Sequence, residues 1–379
     1  MANDFSRTAL TGLNAASYNL SIISNNIANV NTLGFKSSTA NFYNLYASAG
    51  TNSAGMGVGV GQTQRSFDEG SAVQTGLATN LQITGDGFFV LKDSSGQTLY
   101  SRAGDFQLDK NGYLVNSQGI KVQGYSGDFT SGTLNDLQVD RSPSDPAASK
   151  NVTMSGNLDA SGDKPFSQTV TVYDKRGASH SIQTDFKYDA KKKQWDVTYT
   201  VDGDSSSQKT SVITFDDSGK IATGKTFDLP VADGSVKMDF NKLTSYGGSS
   251  LAGPTADTDG YPAGNYMNIT VEKGGKIYAH YSNGQSKQVG SVALAKFANN
   301  NGLQEIGNNN WIVTTDAGAV TTGVASKQGL GDINSGSLEG SNVNLSDQLV
   351  EMISAQRDFQ SNAQVIKTGK TLDQAILNI

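Results

Sequence analysis

Leu13-Asn14-Ala15-Ala16-Ser17-Tyr18-Asn19-Leu20-Ser21-Ile22-Ile23-Ser24-Asn25-Asn26-Ile27-Ala28-Asn29-Val30 is the stretch on which the reading of this chain turns. Leu13, Ala16, Leu20, Ile23, Ile27 and Val30 follow one another at steps of three and four, the spacing that holds side chains on one face of a helix. A second seam of this kind stands at the other end, with Leu345, Leu349, Met352, Phe359, Ala363 and Ile366 continued by Leu372, Ile376 and Ile379. Each helix is expected to run roughly 30 residues, about 45 Å at 1.5 Å per residue. Matching seams usually pack together, so the two ends are expected to meet as a coiled-coil-like pair. In a lone chain such polar helices are expected to fray, and assembly to order them. That pattern predicts the subunit of a polymer.

The chain has 379 residues, of which 36% are hydrophobic, enough for two or three domains with real cores. A net charge of -6, with no basic cluster beyond Lys191, Lys192 and Lys193, argues against a phosphate-binding surface and hence against nucleic acid. With no cysteine and only His180 and His280, a disulfide framework, a thiolate metal site and a multi-histidine site are excluded. The first 30 residues include Asp4 and Arg7 and lack the continuous apolar core of a signal peptide. No stretch approaches the ~18 apolar residues of a membrane span. Neither a cleaved signal nor membrane insertion is indicated, so secretion would need another exporter.

Between the seams the sequence reads as β. The glycines at 55, 57, 59 and 61 suit a connector of extended or irregular backbone. Phe88 to Lys92 and Thr98 to Ser101 flank Asp93-Ser94-Ser95-Gly96, and Phe106 to Leu108 and Tyr113 to Val115 flank Asp109-Lys110-Asn111-Gly112, which predicts two hairpins. A Ser/Asp/Pro-rich stretch at Pro143 and Pro146 opens a second β series with clean alternation, as in Trp195, Val197, Tyr199 and Val201. After Gly260-Tyr261-Pro262, Met267 to Val271 and Lys276 to Tyr281 predict another hairpin, and a Gly/Ser-rich link, Gly329 to Gly340, leads to the last helix, capped by Asn344 or Ser346. The fold class expected is mainly β with terminal α-helices, two nested antiparallel β domains and a helical inner layer. Its parts are 1–70 and 330–379 for the helices and connectors, 71–144 and 261–329 for an inner β domain, and 145–260 for an inserted outer one.

Chemistry is sparse. Gly219-Lys220-Ile221-Ala222-Thr223-Gly224-Lys225-Thr226 satisfies the P-loop pattern, but Phe227-Asp228-Leu229-Pro230 follows where a phosphate site needs a helix. A hairpin turn accounts for it better. Asp109 to Gly112 and Asp257 to Gly260 come near a calcium loop yet lack its first ligand and closing glutamate. The histidines sit in strand-like segments, and Asp216-Asp217 sits at a turn. No catalytic residue, cofactor or metal is expected, and an enzyme is the weakest reading. A surface adhesin would also be β-rich and cysteine-free but would not need two terminal seams.

Five motifs frame the chain: Ser24-Asn25-Asn26-Ile27-Ala28-Asn29-Val30-Asn31-Thr32-Leu33-Gly34-Phe35-Lys36, Gly85-Asp86-Gly87-Phe88-Phe89, Arg102-Ala103-Gly104-Asp105-Phe106, Leu338-Glu339-Gly340-Ser341-Asn342-Val343-Asn344-Leu345, and Met352 through Asn362. In these the chain resembles the axial proteins of the bacterial flagellum, the family of rod, hook and hook-associated subunits. The long insertion and Ala295-Lys296-Phe297-Ala298-Asn299-Asn300-Asn301-Gly302-Leu303 look most like hook members, distal rod members being shorter through the middle. The ending Thr368 to Asp373 departs from the more acidic or glutamine-containing pattern of the relatives. The resemblance implies export by the flagellar type III apparatus, self-assembly into a curved hollow tube outside the cell, and rod protein, hook cap protein and hook-filament junction protein as further partners. It implies a subunit interface made by Leu13, Leu20, Ile23, Ile27, Leu349, Met352, Gln356, Arg357, Phe359, Ile366, Leu372 and Ile376. Asn25, Asn26 and Asn29 are expected to bond across the connector, with Gly34 turning, Phe35 docking and Lys36 closing the motif; plain helix termination by Asn and Gly accounts for part of the same signal.

Overall fold

The computed structural model describes residues 2–46, 55–127, 132–159, 161, 165–231, 234–247 and 253–377. It divides into two compact units, Met1–Asp140 with Ile269–Ala279 and Lys287–Ile379, and Arg141–Asn268 with His280–Ser286. Both helices and most of 71–144 and 261–329 fall in the first unit, while 141–144, 261–268 and 280–286 fall in the second.

In the first unit α1 spans Ala2–Ala28 and α2 spans Leu345–Leu377. Asn344 caps α2, its Oδ1 accepting from the Ser346 amide at 3.0 Å, and Asp347 adds negative charge to the first turn. The pair runs antiparallel: Asn26 meets Gln348, Gly12 lies against Asn362, and Gly369 approaches Ser6. Ala9, Ala15, Ala16, Ile23 and Ala355 are buried. Small side chains bring the helix backbones close, and a Cβ on Gly12 would stand 2.6 Å from the Asn362 Oδ1. The two helices thus pack on each other within one chain.

Of the stretch read as a glycine connector, Val58 to Gly61 belongs to the second strand of a hairpin. Strands β1 (Ser38–Asn44) and β2 (Val58–Arg65) pair antiparallel with a bulge between Ala40 and Phe42. The hairpin lies along α1, where Tyr18 Oη meets Thr63 Oγ1 at 2.7 Å and Thr11 Oγ1 accepts from the Val58 amide at 3.2 Å. The Tyr43 ring lies over Gly59, in the space a Cβ there would take.

The remainder of this unit is a twisted sheet whose spatial order includes Ser286–Phe297, Lys121–Ser126, Phe88–Lys92, Thr98–Ser101, Asn310–Ile312 and Gln304–Gly307. Its core holds Phe88, Val90, Tyr100, Phe297 and Trp311, with Phe88 edge-on to Phe67, Phe297 and Trp311. The expected hairpins at 93–96 and 109–112 are present. The expected Gly/Ser link is not loose. Asp332–Ser335 pairs with Leu81–Thr84, and Ser337–Glu339 pairs with Ala72–Gln74, burying Ile333 and Leu338.

The second unit places a five-stranded antiparallel sheet, Phe166–Tyr173 to Ile221–Thr223, and a four-stranded sheet around one core containing Ile182, Phe186, Trp195, Tyr199, Met154, Met238 and Phe240. One departure from the antiparallel expectation is that Asn151–Asn157 and Gly234–Thr244 run parallel. Thr226 opens the strand Thr226–Val231, and Phe227 stacks on Tyr199 at 4.8 Å, so the P-loop look-alike lacks the helix start that phosphate binding requires. Asp109 Oδ1 accepts from the Asn111 and Tyr113 amides, and Asp259 Oδ1 from those of Lys150 and Asn151, which are turn and strand-end roles. His180 Nδ1 lies 2.7 Å from Asp202 Oδ2 across the neighbouring strand, a surface pair that spacing did not suggest.

Candidate functional site

The residues that quoted motifs bring together lie where α1 ends. Gly34 adopts φ +67°, and a Cβ there would sit 2.6 Å from the Ala103 amide nitrogen, so only glycine makes the turn. Its own amide donates to the Glu339 carbonyl at 2.8 Å. Phe35 is buried next, and Lys36 follows with its side chain wholly enclosed. Lys36 Nζ donates to Glu339 Oε1 and to the Asp68 carbonyl, both at 2.6 Å. The second carboxylate oxygen faces Arg102 Nη1 at 3.3 Å, while Arg102 Nη2 donates to the Gly85 carbonyl at 2.9 Å and its guanidinium stands 5.4 Å from the Phe88 ring centre. The Gly70 amide donates to Glu339 Oε1 at 3.1 Å.

Two cations thus share one buried carboxylate. Burial pushes Lys36 below the usual lysine range against the pull of Glu339. Arg102 Nε is enclosed with no hydrogen-bond partner among the described residues. Such a cluster is costly to desolvate and stays only because each charge is held by the others.

Beside it Asn26, buried on α1, clamps three elements. Its Nδ2 donates to the Ser38 carbonyl at 2.8 Å and to Gln348 Oε1 of α2 at 2.9 Å, and its Oδ1 accepts from the Ser38 amide at 3.0 Å. Asn342 Oδ1 accepts from the Ser37 amide at 2.7 Å, and its Nδ2 donates to the Ser66 carbonyl at 3.0 Å. A polar cavity of about 490 Å³ opens nearby, lined by Ser21, Asn25, Asn29, Arg65, Glu305 and Asn309.

Asn26 therefore bonds across as expected, but Asn25 and Asn29 do not. Asn29 Nδ2 donates to the Asn25 carbonyl and its Oδ1 accepts from Thr32, both within the helix end. At about 100° per residue they face roughly 60–100° away from Asn26. Of the interface residues expected, Ile23 is fully buried within the one chain and has no surface left for a neighbour. Leu13, Leu20, Ile27, Met352, Phe359 and Ile366 are half-buried at the helix pair. Leu349, Gln356, Arg357 and Leu372 are exposed, and the Ile376 side chain lies outside the described residues, as does Ile379. The seam is one stripe about 100° wide at 100° per residue, and it is unevenly covered: its Leu345–Leu349 edge is exposed while its Phe359–Ile366 edge is half-buried. Arg102, Glu339 and Asn342 stood in the quoted motifs with no role given to them. No local signal joined them, since Arg102 and Glu339 stand 237 residues apart.

Family models match along the chain. One described as flagella basal body rod protein covers 7–36, the flagellar hook protein FlgE/F/G D1 domain covers 82–160, the flagellar basal body protein FlaE D2 domain covers 138–303, and the flagellar basal body rod FlgEFG protein C-terminal covers 334–379. Lys36, Arg102 and Glu339 come one each from the first, second and last of these regions. Flagellar hook protein FlgE of Salmonella typhimurium is 34% identical over 98% of both chains, that of Escherichia coli 33% over 98% of both, and that of Borreliella burgdorferi 30% over 98% of both. The chain belongs to the flagellar hook protein family. The crystal structure of Helicobacter pylori flagellar hook protein FlgE2 superposes with a TM-score of 0.52 at 15% identity, covering 69% of this chain and 99% of that one, and so shares its fold. In this hook-family chain the charged cluster and the Asn26 clamp fix the base of the helix pair to the β body. No helix among the described residues is long and apolar enough to cross a membrane.

Proposed function

We propose that the chain assembles with copies of itself into a curved hollow tube that carries torque from rod to filament as a universal joint. The observation that carries this reading is the helix pair, apolar on two sides. Met352, Ala355, Phe359 and Ile366 serve the contact with α1, while Leu345, Leu349, Val350 and Ile353 stay exposed on α2. An exposed apolar stripe of this length on a water-soluble surface marks an interaction face. Paired helices lining the tube resist twist, because interdigitated side chains cannot slide. The β units outside exchange hydrated polar contacts at little cost, which allows bending. Export unfolded through the flagellar type III apparatus, and end contacts with rod, hook cap and hook-filament junction proteins, belong to the same proposal, which assigns the chain a mechanical rather than an enzymatic role.

Electron microscopy of basal bodies from cells lacking the gene tests it. Complete rods that end without a curved segment are expected. Truncated rods would make the chain a rod subunit, and intact flagella would overturn the proposal.

A further inference from the structure

Two exposed apolar patches on the first unit cannot meet within one chain. The first is on the β1–β2 hairpin at the end away from Ser38 and Arg65, where Tyr43, Tyr46 and Met56 are exposed, Tyr46 to 70%. That end lies level with the start of α1, since Leu45 bonds Gly57 and Gly57 packs on Thr11. The second is the stripe Leu345, Leu349 and Ile353 at i, i+4 and i+8 on α2, with Leu349 45% and Ile353 51% exposed. That stripe lies level with the far end of α1, since Gln348 bonds Asn26. From Thr11 to Asn26 the helix rises about 22 Å at 1.5 Å per residue. The hairpin is tied along α1 by the Tyr18–Thr63 and Thr11–Val58 bonds and does not reach across that distance.

We infer that the aromatic end of the hairpin docks on the Leu345–Leu349–Ile353 stripe of a second copy displaced by roughly 20 Å along the helix axis. The inference rests on the polymer reading above and names the surfaces that would carry it. The occupant is a second copy because the chain belongs to a family of tube-forming subunits and because the patches differ: one is aromatic and borne on a β-hairpin, the other aliphatic and borne on a helix. A contact between unlike patches is heterologous. It repeats from copy to copy and, where the rotation between copies does not close into a ring, builds an open helix rather than a two-fold dimer. Tyrosine suits the hairpin side, because its ring covers aliphatic surface while the hydroxyl stays wet.

The chain has no cysteine, so introduced pairs give a clean readout. Polymers collected from cells making the Tyr46→Cys/Ile353→Cys chain are expected to oxidise into a ladder of covalent dimers, trimers and higher multimers, since a disulfide needs Cα atoms within about 7 Å. Each single substitution is expected to stay monomeric on denaturation. Tyr46→Cys/Leu349→Cys is the second pair, should the first hinder assembly. Polymers that give no ladder with either pair would overturn the contact and leave the tube standing. Dimers from a single-cysteine chain would mean that like meets like, which also overturns it. An unsubstituted chain that forms no polymer would sink both readings.

Discussion

Glu339 is the only carboxylate bonded to both Lys36 and Arg102 among the described residues, and this sets the order of damage when the cluster is cut. Glu339→Leu leaves two cations buried without a counter-charge and is expected to cost about 3–5 kcal/mol. Lys36→Met keeps the Arg102–Glu339 pair and is expected to cost clearly less. Urea unfolding of the three chains gives the comparison, and equal losses would mean that the cluster is not electrostatically coupled. In the second unit burial holds the Tyr199 phenol up to about 12, despite its bond to Ser211. A raised folded value means that the stability it protects is fully present below the unfolded pKa of 10 and drains away as pH rises toward 12. Tyr199→Phe is expected to flatten the fall in thermal midpoint across that window; an unchanged slope would refute the assignment.

At the scale of elements, the two apolar sides of α2 separate assembly from folding. Leu349→Asp alters an exposed position, so the monomer's unfolding free energy should change by no more than the ~0.5 kcal/mol usual for surface changes, while polymer formation is lost. Ile23→Asp puts a charge into a site with no exposure and is expected to melt the helix pair itself, visible as lost helical circular dichroism in the monomer. If both variants behave alike, the division of faces is wrong. This division was only partly legible in the sequence. Steps of three and four locate a helix and a stripe about 100° wide, but spacing alone does not say which edge of that stripe the partner helix covers. The strands of the second unit were legible because Trp195, Val197, Tyr199 and Val201 alternate without a break. The β1–β2 hairpin and the strands at 332–339 were hidden by glycines and serines, whose value there is the room they leave for Tyr43 or for a neighbouring backbone. The charged cluster was hidden for another reason: its members sit far apart in sequence, and nothing local reveals a long-range ion pair.

For the whole molecule, the bulk of the second unit, Arg141–Asn268, begins and ends with adjacent segments. Ser144 bridges to Gly264 and Ala147 to Tyr261, so the strands that lead in and out lie side by side. Replacing 145–260 by a short Gly/Ser linker is therefore expected to leave tubes that assemble but are straight, as read by electron microscopy; no tubes at all would show that the insertion takes part in assembly. The cluster at Lys36 carries a different consequence, one of timing. Its carboxylate stands 303 residues after Lys36 and 237 after Arg102. A chain that emerges amino end first holds two cations with no place to be buried until nearly its last tenth has appeared. Contacts so remote close slowly, since loop closure precedes any gain. Any fragment cut short before Glu339 remains open at that point, so the fold itself works as a check on completeness: a broken copy cannot shut, and what cannot shut has no rigid base from which to join its neighbours.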